Sequence, residues 1–248
     1  MVGYKLIALD LDGTTLNEEG VLSDENIHWI QKADEAGVIV IIATGRGRQT
    51  AQPHLDRLKL QHPFIVMNGS EVWRQPGELL DRQFVPRTCM NQCIDLARQY
   101  GVMYFGYELS RGLCCNFEPS SEEDNEMWMK FLFHSDELAK LDEIRGIMTD
   151  WSEVEVSSSS VKNIEITPKG ISKALRLKEV CALLQISMDE VIAVGDGPND
   201  IYMLQAAGLG IAVGNAMEEV KLAADITLPY TNGDHAVAKV IQQYVFQK

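Results

Sequence analysis

Long apolar runs are missing from this 248-residue chain. None approaches the ~20 residues that a membrane-spanning helix needs. Basic clusters are missing too. The 22 lysines and arginines are outnumbered by 36 acids, for a net charge of −14, whereas nucleic-acid binding leaves a basic footprint. The five cysteines, an odd count without regular spacing, argue against a disulfide scaffold. Cys89 and Cys93 can share a helix face, but no third or fourth ligand follows at zinc spacing, so all five read as free thiols in a reducing compartment. The five histidines are scattered. No G-x-x-x-x-G-K-[ST] stretch is present, which excludes the common nucleotide-binding loop. The N-terminus carries a single Lys5 and does not read as a signal peptide. The expectation is a cytoplasmic protein with no nucleic-acid or membrane partner, a monomer or weak homodimer.

What is there is alternation. "KLIALD" is a continuous apolar run, suited to a buried parallel strand. Ser23 caps a helix with Asp24 and Glu25 in its first turn, Ile27, Ile30 and Ala33 as its apolar stripe, and Gly37 as its stop. Val38 to Ala43 reads as a second strand, followed by a helix interrupted near Pro53. Phe64 to Met67 reads as a third strand, turning at Asn68-Gly69. The last 80 residues or so repeat the rhythm: a helix from Ser172 to Leu184, a strand at Val191 to Val194, then strands at 210–213 and 226–228. Strand–helix alternation predicts an α/β fold, a Rossmann-like parallel sheet with helices on both faces in three layers.

The middle differs. Thr88 to Tyr100 reads as a helix, "VMYFGYEL" and "GLCCNFE" as strands, 121–145 as acidic helix with Glu122-Glu123-Asp124 at its solvated start, and "VEVSSSS" and "KNIEITP" as two more strands. This predicts an α+β insert at 83–167 within a core of 1–82 plus 168–248. The insert is expected to hold one four-stranded sheet and two helical stretches. Tyr104, Phe105, Tyr107, Trp128 and Phe131 read as its own core, and Ser157 to Ser160 as a polar strand end or turn.

Open α/β sheets place their sites beyond the C-terminal strand ends. There lie Asp10 and Asp12, then Thr44-Gly45-Arg46, then "GDGPND" at 195–200, with Lys173 at a helix start. Two carboxylates side by side repel, and a hard cation removes the conflict. Mg²⁺ prefers oxygen ligands and commonly takes one or two carboxylates, waters and a substrate phosphate. Asp10 and Asp196 suit it. Gly13 allows a sharp turn that exposes N–H groups to an anion. Thr44 offers a hydroxyl and Lys173 a full charge to phosphate oxygens. This composes a phosphoryl-transfer site.

The ordered stretches "DLDGT", "IATGR", Ser172-Lys173 and "GDGPNDIYML", with "VMNG" and "GIAVGNA", resemble the motifs of the haloacid dehalogenase superfamily, most closely its Cof-like phosphatases. The likeness spans about 160 residues of the two core segments; the middle third matches only in position and rough strand order. It implies a Mg²⁺-dependent phosphatase of small phosphorylated metabolites, with an α+β cap inserted between the second and third motifs. Asp10 would be the nucleophile that becomes an aspartyl-phosphate. Asp12 would be the general acid and then base, its backbone carbonyl also on the metal. Thr44 and Lys173 would hold the phosphoryl group, with Gly13, Gly45, Arg46, Asn68 and Asn199 around it. Asp196 would ligate the metal, with Asp200 a ligand through water or a partner behind the ligands. Asn199 would orient Lys173 or the phosphoryl group. Arg46 either faces substrate or pairs with an acid, and Asn68 at least makes a turn. Ala174 stands where the family often has glycine, and His235-Ala236 where it often has Gly-Val, which bears on loop shape rather than chemistry. A phosphomutase or a non-catalytic phosphometabolite-binding domain are the alternatives.

Overall fold

The computed structural model of the chain describes residues 3–118, 121 and 125–246. Strand β1 (Leu6–Leu9) is buried at every position. Helix α1 (Asp24–Glu35) starts where the Ser23 hydroxyl accepts the Asn26 N–H, and ends before Gly37 in the left-handed region. It leads to β2 (Ile39–Ile42), which pairs parallel to β1. Helix α2 (Arg48–Leu58) runs unbroken through Pro53, so the interruption expected there does not occur. One backbone donor is lost, but Ala51, Leu55 and Leu58 are buried along its inner side, and that burial outweighs one missing hydrogen bond. Strand β3 (Phe64–Val66) is followed by a hairpin that the sequence reading lacked, β4 (Glu71–Gln75) and β5 (Glu78–Arg82).

The next elements are α3 (Arg87–Tyr100), β6 (Met103–Glu108), β7 (Gly112–Cys115), β8 (Trp128–His134), α4 (Leu138–Met148), β9 (Val154–Ser157) and β10 (Asn163–Pro168). The expected acidic helix over 121–145 is therefore corrected. Trp128–His134 is a central strand, the helix begins only at Leu138, and Glu122 to Asp124 lie outside the described residues. The sheet is five-stranded rather than four-stranded, antiparallel, in the order β7-β6-β8-β10-β9. The apolar, aromatic-rich run Trp-Met-Lys-Phe-Leu-Phe suits a strand; the acids before it suggested a helix start.

After α5 (Lys173–Leu184), capped by the Ser172 hydroxyl, come β11 (Val191–Gly195), α6 (Ile201–Ala206), β12 (Leu209–Ala212), α7 (Glu218–Ala223), β13 (Ile226–Thr227) and α8 (Ala236–Ile241). The parallel sheet runs β13-β12-β11-β1-β2, with β3 joined to its β2 edge through an Ala43–Ile65 bridge. From the centre the chain goes outward one way through β1 and β2, and the other way through β11, β12 and β13. Right-handed crossovers then put α1 on one face and α6 and α7 on the other. The reversal between β1 and β11 opens a crevice at their C-terminal ends, with Asp10 on one lip and Asp196 on the other.

Two hydrophobic cores result. One surrounds the parallel sheet. The other lies between α3, α4 and one face of the antiparallel sheet, drawing on residues from Val85 to Ile166. Tyr104, Trp128 and Phe131 belong to the second core. Phe105 and Tyr107 do not: they alternate to the opposite face of β6 and line a cavity.

His235 sits at φ +60°, immediately before α8. A non-glycine residue there is strained by about 1 kcal/mol. We expect His235→Gly to raise the unfolding free energy by roughly 0.5–1 kcal/mol in urea titration, with unchanged turnover; a loss of stability would contradict the strain.

Candidate active site

Asp10 ends the buried run of β1, and its N–H bonds the Val194 carbonyl of β11. Its side chain points into the crevice, 5% exposed as a residue. Lys173, the first residue of α5, is fully buried, and its Nζ donates to Asp10 Oδ1 at 2.6 Å and to Asp200 Oδ1 at 2.7 Å. The second oxygen of Asp200 accepts the N–H groups of Asp196 and Gly197, both at 3.1 Å. Thr14 donates its hydroxyl to Asp196 Oδ1 at 2.7 Å. Gly13, at φ +75°, packs against Asp196 so closely that any Cβ would overlap its carboxylate. A side chain there would push Asp196 out of the crevice.

One carboxylate oxygen from each of Asp10, Asp196 and Asp200 lies within 4.8 Å of the others. One ammonium thus faces three acids. Burial, and then Asp200 and Asp196, push the Asp10 carboxyl well above its ordinary range against the pull of Lys173. Burial and the neighbouring Asp200 push Asp196 up to about 7. Burial disfavours the Lys173 charge, but Asp10 and Asp200 more than offset it and keep the ammonium charged. Raised carboxyls beside a fixed cation mark a site short of positive charge. An all-oxygen, multiply acidic donor set of this kind fits a hard divalent cation.

Asp12 stands apart. Its exposed carboxylate takes a bidentate bridge from Arg46, Nε at 2.8 Å and Nη2 at 2.6 Å. Arg46 also contacts His54 Nε2 at 2.9 Å. Arg46 pairs with an acid and also lines the cavity over the site. Thr44 is buried, and its hydroxyl accepts the Arg46 N–H at 3.1 Å. Asn68 lies in a left-handed turn, Met67 to Gly69. Asn199 does not bond Lys173; its Nδ2 donates to Asn68 Oδ1 at 3.1 Å.

A cavity of about 380 Å³ opens over these groups. Its floor includes Asp10, Asp12, Arg46 and Asp196, and its roof is the face of the antiparallel sheet carrying Phe105, Tyr107, Leu113 and Leu132. Two roof residues were missed from sequence, Lys130 of β8 and Glu165 of β10, a buried pair at 2.8 Å. The available signal was a single charge inside an apolar strand. Ser159, at the polar stretch after β9, also lines the cavity.

The family model for haloacid dehalogenase-like hydrolases matches residues 7–126 and 107–241. The chain belongs to the haloacid dehalogenase-like hydrolase family. Within it, the chain is 37% identical over 244 residues to the 5-amino-6-(5-phospho-D-ribitylamino)uracil phosphatase YcsE of Bacillus subtilis, covering 98% of this chain and 97% of the relative. It is 29% identical over 267 residues to the pyridoxal phosphate phosphatase YbhA of Escherichia coli, covering 96% of each. A crystal structure of a haloacid dehalogenase-like hydrolase from Bacteroides thetaiotaomicron superposes with a TM-score of 0.80 at 27% identity, over 97% of this chain and 99% of that one.

The charge deficit has a measurable consequence. Groups whose carboxyls are raised in the folded state stabilise it only while protonated. In chelator, we expect the melting temperature of this hydrolase to fall as pH rises from about 5 to about 8, through the Asp196 value near 7. Added magnesium should flatten the slope. Equal slopes with and without the cation would contradict the deficit.

Proposed function

We propose that the chain is a Mg²⁺-dependent phosphatase of small phosphorylated metabolites that transfers the phosphoryl group to Asp10. The observation that carries this reading is the buried Asp10 carboxylate, held by Lys173 at 2.6 Å beside Asp196 at the end of the central strands.

In this mechanism Asp10, Asp196 and the backbone carbonyl of Asp12 would hold the cation, with Asp200 behind them. When bound, the cation neutralises the phosphate and the acids so that one carboxylate can approach the phosphorus. Lys173 fixes the rotamer of Asp10, leaving Oδ2 as the attacking atom. As the Asp10–phosphorus bond forms and the ester bond breaks, Asp12 gives its proton to the departing oxygen. Asp12 then takes a proton from water, whose oxygen attacks phosphorus, releasing phosphate and restoring Asp10. The Thr44 hydroxyl and the Lys173 ammonium stabilise charge on the transferring group. In the resting state Arg46 holds both Asp12 oxygens, so this bridge opens before Asp12 carries the proton.

Residues 83–167 act as a cap that closes over the phosphoryl site and contacts the leaving group. The full-length likeness to a phosphoribitylamino-uracil phosphatase makes a sugar-alcohol phosphate attached to a heterocycle the first substrate to assay. The setting we assign is the cytoplasm, without a nucleic-acid partner.

A panel of phosphate monoesters with magnesium tests the reading by phosphate release; formation of an isomer without release would indicate a mutase instead. Asp10→Asn should lower turnover by at least about a thousandfold with the fold intact. Asp12→Asn should cost much less with an aryl phosphate, whose leaving group needs no proton, than with an alkyl phosphate. Equal losses on both would remove Asp12 from the acid role.

A further inference from the structure

Lys130 and Glu165 are each about 95% buried, in strands whose residues on one face fill the second core. Strand alternation places them on the cavity face. Lys130 is registered with Tyr107, and Glu165 with Leu132, while Phe131, Phe133, Ile164 and Ile166 fill the core. A shift in register at Tyr107–Glu108 lets Trp128 turn to the core while Lys130, two residues on, faces the cavity.

The pair is fully engaged on one side. Glu165 Oε1 accepts from Lys130 at 2.8 Å and from Ser159 at 3.0 Å; its Oε2 accepts from Asn68 at 2.6 Å. Lys130 and these donors overcome the burial and hold the Glu165 carboxyl below its ordinary range. Lys130 also donates to the Gly45 carbonyl at 3.1 Å. Gly45 lies between Thr44 and Arg46, and a Cβ there would crowd the Asn68 oxygen at 2.9 Å and Lys130 Nζ at 3.4 Å. An ammonium has three donors, and only two acceptors meet this one among the described residues. Lys130 lines the cavity, so a third acceptor can reach it from there.

A buried ion pair is an expensive way to hold two segments together, and apolar residues commonly do as well or better. A spare donor beside the phosphoryl loop needs a different reason. We propose that Lys130 is a specificity-determining residue, which donates its remaining hydrogen bond to a hydroxyl or carbonyl oxygen of the leaving group, and that Glu165 is the positioning residue that aims it. This inference rests on the phosphatase reading above. It assigns the ligand class at this point of the cavity: an oxygen-bearing leaving group, seated between Lys130 and the Phe105–Tyr107 wall, rather than a plain alkyl or aryl one.

The test is a matched pair of primary alkyl esters, ribitol 5-phosphate and n-pentyl phosphate, which differ only in the leaving-group hydroxyls. The variant is Lys130→Met with Glu165→Gln, which removes both charges together, so that neither is left buried without its counter-charge. The wild-type enzyme should prefer the polyol ester in kcat/KM, and the double variant should lose at least about tenfold of that preference, as expected for a hydrogen bond from a charged donor. Losses common to both esters reflect closure of the site and cancel in the ratio. A preserved ratio, even with lower absolute rates, would make the pair purely structural and overturn the inference, as would a wild-type enzyme with no preference for the polyol. If the double variant does not fold, as judged by circular dichroism, Glu165→Gln alone should lower the same ratio several-fold, and an unchanged ratio would count against the proposal. Failure of the wild-type enzyme to hydrolyse any monoester would instead overturn the phosphatase reading, and this one with it.

Discussion

A lysine with no access to water sits between two carboxylates, Asp10 and Asp200, at 2.6 and 2.7 Å. Removing the lysine would leave two buried carboxylates facing each other without a cation, which is far costlier than losing a surface bridge. The geometry around it follows from that constraint. Lys173 must stand as the first residue of α5, and the Ser172 cap fixes where that helix starts. Asp200 must turn its second oxygen back onto the N–H groups of Asp196 and Gly197, which orders the loop after β11. Adjacent parallel placement of β1 and β11 brings Asp10 and the Asp196–Asp200 loop together, and Lys173, 163 positions from Asp10 in sequence, reaches both from the start of α5.

The same constraint sets the chemistry. One ammonium among three acids leaves the crevice electrostatically incomplete, and burial magnifies the deficit on Asp10 and Asp196. Such a site is poorly stable when empty of positive charge and receptive to a divalent cation. Opposite this polar floor the antiparallel sheet offers a mostly apolar roof with one buried charge pair. In the proposed reading the two surfaces divide the work: the floor would treat a phosphoryl group common to all substrates, and the roof would meet the part that differs between them.

The floor was legible in the sequence because its residues sit at marked places, strand ends and helix starts, where apolar periodicity stops abruptly. Asp10, Thr44, Lys173 and Asp196 all stand at such breaks. The roof was not legible, for two reasons. Strand parity decides which of Tyr104 and Phe105 faces a core and which faces a cavity, and sequence alone does not say that the second face meets anything but water. Lys130 and Glu165 look like ordinary solvent-facing positions for the same reason. Strand β8 itself was hidden behind the acidic run that precedes it. At Pro53 and His235, local preference was overridden by packing around α2 and the start of α8, which no short-range pattern records. Arg46 was ambiguous because its partner, Asp12, is 34 residues away.

The account turns on Asp10 as the group that accepts phosphorus. Rapid acid quench of the enzyme during turnover of a phosphate monoester, followed by peptide mapping by mass spectrometry, addresses it directly. The account predicts a phosphorylated peptide whose modified residue is Asp10, absent from the Asp10→Asn variant. Phosphate release proceeding at full rate with no phosphoryl group found on Asp10, or one found on another residue, would contradict it.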